Sequence, residues 1–103
     1  MEVLKKGTIE SLLVPLRDRL GNLTDLTTVS GKTFTTRKKS DDSAIQTAVP
    51  WTVDPDFPMT AICTIDTTLA GYTADDEFKL YISYIDGAEH PYKGPVYFRV
   101  DDD

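Results

Sequence analysis

Between Phe78 and Ile85 the apolar side chains fall on every second residue. Phe78, Leu80, Ile82 and Tyr84 alternate with Lys79, Tyr81, Ser83 and Ile85. A period of two sends the first set to one side of an extended strand and the second set to the other. The same period recurs along the chain between turn signals spaced about every ten residues, the pattern of a small all-β sandwich or barrel. No stretch of ten or more residues carries a 3.6-residue period. The one helical candidate, "IESLLVPLRDRL", holds Pro15, which in mid-helix would cost ~3 kcal/mol. We therefore expect an all-β protein: a single antiparallel β-sandwich of about seven strands, with residues 1–103 as one domain.

The first strand is placed at residues 8–17, with Leu12, Val14 and Leu16 on one side and Leu13, Pro15 and Arg17 on the other. Pro15 has no N–H to give a ladder, so this strand belongs at an edge or carries a bulge. "DRLGN" turns the chain at Gly21-Asn22, and Leu23 and Leu26 pack a crossing into the core. A strand over 29–38 points Phe34 inward and Thr33, Thr35 and Arg37 outward. After the polar loop 39–43, the run "AIQTAVPWTV" puts Ile45, Val49, Trp51 and Val53 on one face, with Trp51 as core anchor. "MTAICTID" is apolar on both sides, Ala61, Cys63 and Ile65 against Ile62, as a central strand would be. Residues 66–77 read as a corner with one helical turn capped by Asp66 or Thr67, from which Tyr72 tucks back beneath the following strand. The return strand of the closing hairpin carries Tyr92, Val96, Phe98 and Val100 on one face, and Asp86-Gly87 supplies the tight turn.

Size and charge narrow the function classes. A chain of 103 residues can bury one core without a metal or a disulfide. Net charge is −6, and apart from "TRKK" at 36–39 the basic residues are scattered, which disfavours nucleic acid because phosphate binding needs clustered Lys and Arg. No apolar run approaches the ~20 residues that span a bilayer, so no membrane partner is expected. The opening "MEVLKKGTIESLLVPL" lacks a small-residue cleavage site and does not read as a signal peptide. Cys63 is the single cysteine and reads as a buried hydrophobe.

Catalytic chemistry finds little footing. His90 is the one histidine, in the turn "GAEHPY", and a Cys63/His90 pair would need a buried thiol to meet a loop imidazole. CxxC, HxH and HExxH are missing, and no glycine-rich phosphate loop precedes a helix. Acids cluster at 41–42, 54–56, 75–77 and 101–103 and would suit Ca²⁺ only if they met in space. Solvated charge that keeps strand edges from aggregating is the simpler role. The positive signal is aromatic: five tyrosines from Tyr72 to Tyr97, of which Tyr81 and Tyr97 share an outward face with Ile85 if Tyr84 and Phe98 point inward. Exposed tyrosines beside aliphatic residues suit a protein interface or, as the alternative, a carbohydrate platform.

The order of features resembles a known family. "DRLGNLTDLT", giving D-x-x-G-N-x-x-D-L-T with Asp18, Gly21, Asn22, Asp25, Leu26 and Thr27, is followed by a Thr-rich strand. A late Gly71-Tyr72 then leads into the hairpin. Together they resemble the immunoglobulin-like domain at the N-terminus of phage baseplate upper proteins, among the small sandwich modules of tailed-phage tails and capsids. The acidic "TADDE" after Tyr72 departs from that pattern. The resemblance implies an immunoglobulin-like virion component, present in several copies, contacting its own copies and other virion proteins and assembled in the bacterial host cytoplasm. It implies no enzyme activity and no cofactor. Edge strands are templates for pairing, so the expected interface residues are Leu12 and Val14 on the N-terminal strand, Tyr81 and Ile85 on the penultimate strand, and Tyr97 and Arg99 on the last.

Overall fold

The computed structural model describes residues 1–18 and 20–102. Arg19, within the expected "DRLGN" turn, and Asp103, in the acidic tail, lie outside the described residues. The described residues contain no helix and form eight strands: β1 (Glu2–Lys5), β2 (Ile9–Pro15), β3 (Ser30–Lys38), β4 (Ala44–Pro50), β5 (Thr52–Val53), β6 (Thr60–Asp66), β7 (Asp76–Ile85) and β8 (Tyr92–Asp101). One sheet has the order β1-β8-β7-β3-β4 and the other β2-β6-β5. Every pairing is antiparallel except β1 with β8, which is parallel.

The two sheets close on one core. Leu12 and Val14 from β2, with Ala61, Cys63 and Ile65 from β6, supply one side; Phe34, Phe78, Leu80, Ile82, Tyr84, Phe98 and Val100 supply the other. Phe78 and Phe98 stack at 5.5 Å between centroids, and Tyr72 meets Phe78 edge-on at 5.2 Å. Trp51 is 2% exposed, packs edge-on against Tyr84 at 6.0 Å, and donates its indole N–H to the Ser83 carbonyl at 3.1 Å. The buried ring thus satisfies its one polar atom.

Several expectations need correction. The chain's first strand is β1, in which only Leu4 is buried; it lies on β8 in the larger sheet, ahead of the strand expected at 8–17. The run from Ala44 to Val53 is two strands, not one, although Ile45, Val49, Trp51 and Val53 all pack on the core as expected. Ala48 takes φ 51° and β4 slips register against β3, after which Trp51 carries the chain across the core to β5 in the other sheet. No helical turn forms at the 66–77 corner. Asp66 Oδ1 instead accepts the N–H and O–H of Thr68, an Asx turn. Leu26 is buried as expected, but Leu23 is 43% exposed.

The closing hairpin holds with one inversion. Gly87, at φ 61°, and Ala88 form a two-residue turn between Asp86 and Glu89, which exchange backbone hydrogen bonds at 2.9 and 3.0 Å. Further along β8, Gly94 adopts φ 129° where the register with β7 shifts between Leu80 and Ile82. A bulge inverts the side-chain alternation beyond it. Val96, Phe98 and Val100 therefore face inward, while Tyr92 points out and is 64% exposed.

Candidate functional site: the outer face of the larger sheet

The outer face of the five-stranded sheet is built by the odd positions of β7 and their cross-strand neighbours. Register places Glu77 beside Arg99, Lys79 beside Tyr97 and Arg37, and Tyr81 beside Thr35. Tyr81 and the inverted Tyr92 lie nearly parallel, 13° apart with centroids at 5.4 Å. Tyr97 is 42% exposed and carries the Lys39 ammonium 5.4 Å above its ring. Ile85 is half-buried at the hairpin end of the same face.

Three of the basic side chains on this face, Lys39, Lys79 and Arg99, are held in ion pairs, and Arg37 donates to the Asp42 carbonyl at 2.9 Å. Lys39 Nζ reaches Glu77 Oε2 at 2.7 Å, Lys79 Nζ reaches Asp42 Oδ1 at 2.6 Å, Arg99 Nε reaches Asp101 Oδ1 at 2.5 Å, and Arg99 Nη2 lies 3.8 Å from Asp75 Oδ1. The hydrogen bond from Lys39 holds the Glu77 carboxyl below its ordinary range, and that from Lys79 does the same for Asp42. Exposed pairs of this kind add little to stability. Their larger effect is to hold long side chains in place around the aromatic strip.

Four of the six expected interface residues, Tyr81, Ile85, Tyr97 and Arg99, are brought together here. The other two are not. Leu12 is 4% and Val14 8% exposed, inside the core; β2 is an outer strand as expected, but it shows Ile9 and Leu13, at 65% and 59%. The last strand is not an edge either, because β1 covers β8 over Phe98–Asp101. Tyr92, expected in the core, belongs to the site through the bulge at Gly94.

The remaining candidates stay apart. Cys63 is fully buried on β6, and burial pushes its thiol up to about 12. A thiol so held is a poor nucleophile at neutral pH. His90 is exposed on the rim of a cleft of about 780 Å³ that Cys63 does not line. This cleft, between the 18–28 loop and the hairpin tip, has Leu20, Leu23, Tyr84 and Pro91 among its walls, with Asp25 and Asp86. Nothing in the sequence pattern brought those two segments together. Among the described residues no three His, Cys, Asp or Glu side chains are gathered to hold a metal ion. The acids serve locally: Asp25 accepts from Thr27, Asp41 from Ser43 and Asp54 from the Asp56 N–H.

Comparison with known proteins finds no family model, no curated protein and no solved structure that the chain matches.

Proposed function

We propose that this chain is a non-enzymatic structural and assembly protein that docks through the outer face of its five-stranded sheet. The observation that carries the reading is the aromatic strip of Tyr81 on Tyr92 and Tyr97 under Lys39, framed by paired charges. Tyrosine and arginine are enriched where proteins meet, and rigid rings with ordered flanking charges give contact area at low entropic cost.

Strand order supports an immunoglobulin-like reading of the sandwich. Lettering β2 to β8 as B, C, C′, D, E, F and G puts G, F, C and C′ side by side in one sheet and B, E and D in the other, the variable-type arrangement without C″. Tyr72 then stands at the E–F corner, where such domains keep a hydrogen-bonded tyrosine. Two features depart from that family: Trp51 sits at the C′–D crossing instead of on C, and a single cysteine leaves the B–F disulfide without a counterpart.

The resemblance to phage baseplate upper proteins extends the reading to a tailed-bacteriophage virion, with several copies docked on tail, baseplate, head-to-tail or capsid proteins. The signature residues have fold-building roles that such a family would share. Asp18 Oδ1 accepts the N–H of Leu20 and of Asn22, Asp25 closes a turn on Thr27, and Leu26 is fully buried. The test is Tyr97→Lys, an exposed change that leaves the core alone. Gradient sedimentation of phage particles should find the variant protein folded but unincorporated; incorporation at the wild-type level contradicts the reading.

A further inference from the structure

We infer that β2 pairs antiparallel with β2 of a second copy, about a two-fold axis through Ser11, joining two three-stranded sheets into one of six strands. The inference deepens the assembly reading by naming one self-contact, and rests on that reading only for its setting in a particle.

The two sheets have four outer strands, and three are blunted against pairing. β1 is four residues long and lies among Glu2, Lys5 and Lys6; β4 is bulged and slips twice against β3; β5 has two residues before Asp54-Pro55. β2 has only Pro15, at its last position, as such a protection. Its seven residues run in unbroken register with β6, and its outward side chains, Ile9, Ser11, Leu13 and Pro15, carry no charge.

Main-chain geometry sets the register of the second copy. Thr67 N–H donates to the Thr8 carbonyl and Leu16 N–H to the Met59 carbonyl, both at 3.0 Å, at the two ends of the β2–β6 ladder. Even-numbered residues of β2 therefore turn their backbone groups to β6, and Ile9, Ser11 and Leu13 turn theirs outward. A two-fold at Ser11 sets Ile9 against Leu13 of the second copy, Ser11 against Ser11, and Leu13 against Ile9. Each of these pairs exchanges two N–H···O bonds, and none of the donors is a proline. Pro15 falls beyond them, opposite Gly7.

The side chains agree with that register. Leu13 already flanks Ile62 on the outer surface, and pairing adds Ile9 of the second copy to the same apolar row, a favourable cross-strand contact. Glu10 comes opposite Leu12, so no like charges meet at the seam despite a net charge of −6 on each chain. A single strand pair buries well under the ~1,000 Å² expected of a stable interface. The dimer is accordingly concentration-dependent in solution and favoured where copies are held side by side.

Sedimentation velocity on the full chain from about 10 µM to 1 mM, with amide exchange followed by NMR over the same range, tests the inference. The expected result is association that grows with concentration, with at least a several-fold slowing of exchange at Ile9, Ser11 and Leu13, and loss of both in Leu13→Lys. Ser11→Pro, which removes an outward N–H, no backbone bond to β6 and only the long Ser11 Oγ–Thr64 Oγ1 contact at 3.4 Å, should act the same way, with Trp51 near-UV dichroism checking that each variant is folded. A monomer throughout, with freely exchanging β2 amides, overturns the inference and leaves particle docking by Tyr97 to its own test. Association that survives Leu13→Lys but is lost in Tyr97→Lys also overturns it, and moves the self-contact to the tyrosine face.

Discussion

The Tyr72 hydroxyl lies 2.5 Å from the Thr36 hydroxyl, both fully buried, and joins the corner between the sheets to the middle of β3. Tyr72 donates to Gln46 Oε1, also at 2.5 Å, so Thr36 donates to Tyr72; Thr36 in turn accepts the Gln46 N–H at 3.1 Å. Gln46 Oε1 also receives the Asp66 N–H at 3.3 Å. This closed ring ties β3, β4 and the end of β6 together. Tyr72→Phe leaves the buried Thr36 O–H without its acceptor and takes one of two donors from Gln46 Oε1, at a cost of ~1–3 kcal/mol. Thermal unfolding should shift down by about 4–8 °C for each kcal/mol; an unchanged midpoint would count against the network.

Gly94 and Gly87 both have positive φ but differ in surroundings. A Cβ on Gly94 would lie 2.6 Å from the Leu80 carbonyl oxygen, a backbone atom, whereas one on Gly87 meets nothing within 4 Å. Gly87→Ala should therefore cost only the ~1 kcal/mol of an unfavourable φ, and Gly94→Ala at least about twice that, with the hairpin repacked. Urea denaturation of the two variants gives the ranking. In Gly94→Ala the amide shifts of Tyr81 and Tyr92 should move together as their stack is lost.

Alkaline pH should unfold the protein in a defined window. Burial raises the Cys63 thiol from its ordinary 9.0 to about 12 and drives the Tyr72 phenol upward as well. Below pH 9 both groups are protonated in either state, and their contribution is fully present. As pH climbs from 9 towards 12 the unfolded thiol ionises while the folded one does not, and stability falls by ~1.4 kcal/mol per pH unit for each such group. Cys63→Ala should delay the fall to about pH 10, where unfolded tyrosine begins to ionise. Urea midpoints at pH 8, 9.5 and 10.5 measure it, and a flat wild-type profile would contradict the burial argument.

How far this molecule is readable from its residues follows the physics of each segment. β7, β6 and β2 are legible because alternate positions are strongly apolar and one face is buried, which fixes register. β1 escaped notice because only Leu4 of its four residues is buried, and its pairing with β8 is a long-range contact with no local pattern. Tyr92 departs from the expected face because the bulge near Gly94 inverts the alternation, and the change of sheet after Trp51 leaves no mark in a run whose inward positions keep a period of two. For the site, Tyr81, Ile85, Tyr97 and Arg99 follow from counting by twos along two strands. Leu12 and Val14 sit on an edge strand, but their side chains are on the face the core takes. The partner of Tyr81, the Lys39 cap on Tyr97 and the cleft beside Tyr84 depend on how distant loops meet, which no local period encodes.

The most direct measurement is photo-crosslinking from position 97 in infected cells, with Thr64, on the outer face of the smaller sheet, as the control position. A photoreactive residue replacing Tyr97 should yield a covalent adduct with a virion structural protein in purified particles, and one replacing Thr64 should not. Particles that lack the protein, or adducts that form from Thr64 and not from position 97, would contradict docking through the outer face of the five-stranded sheet.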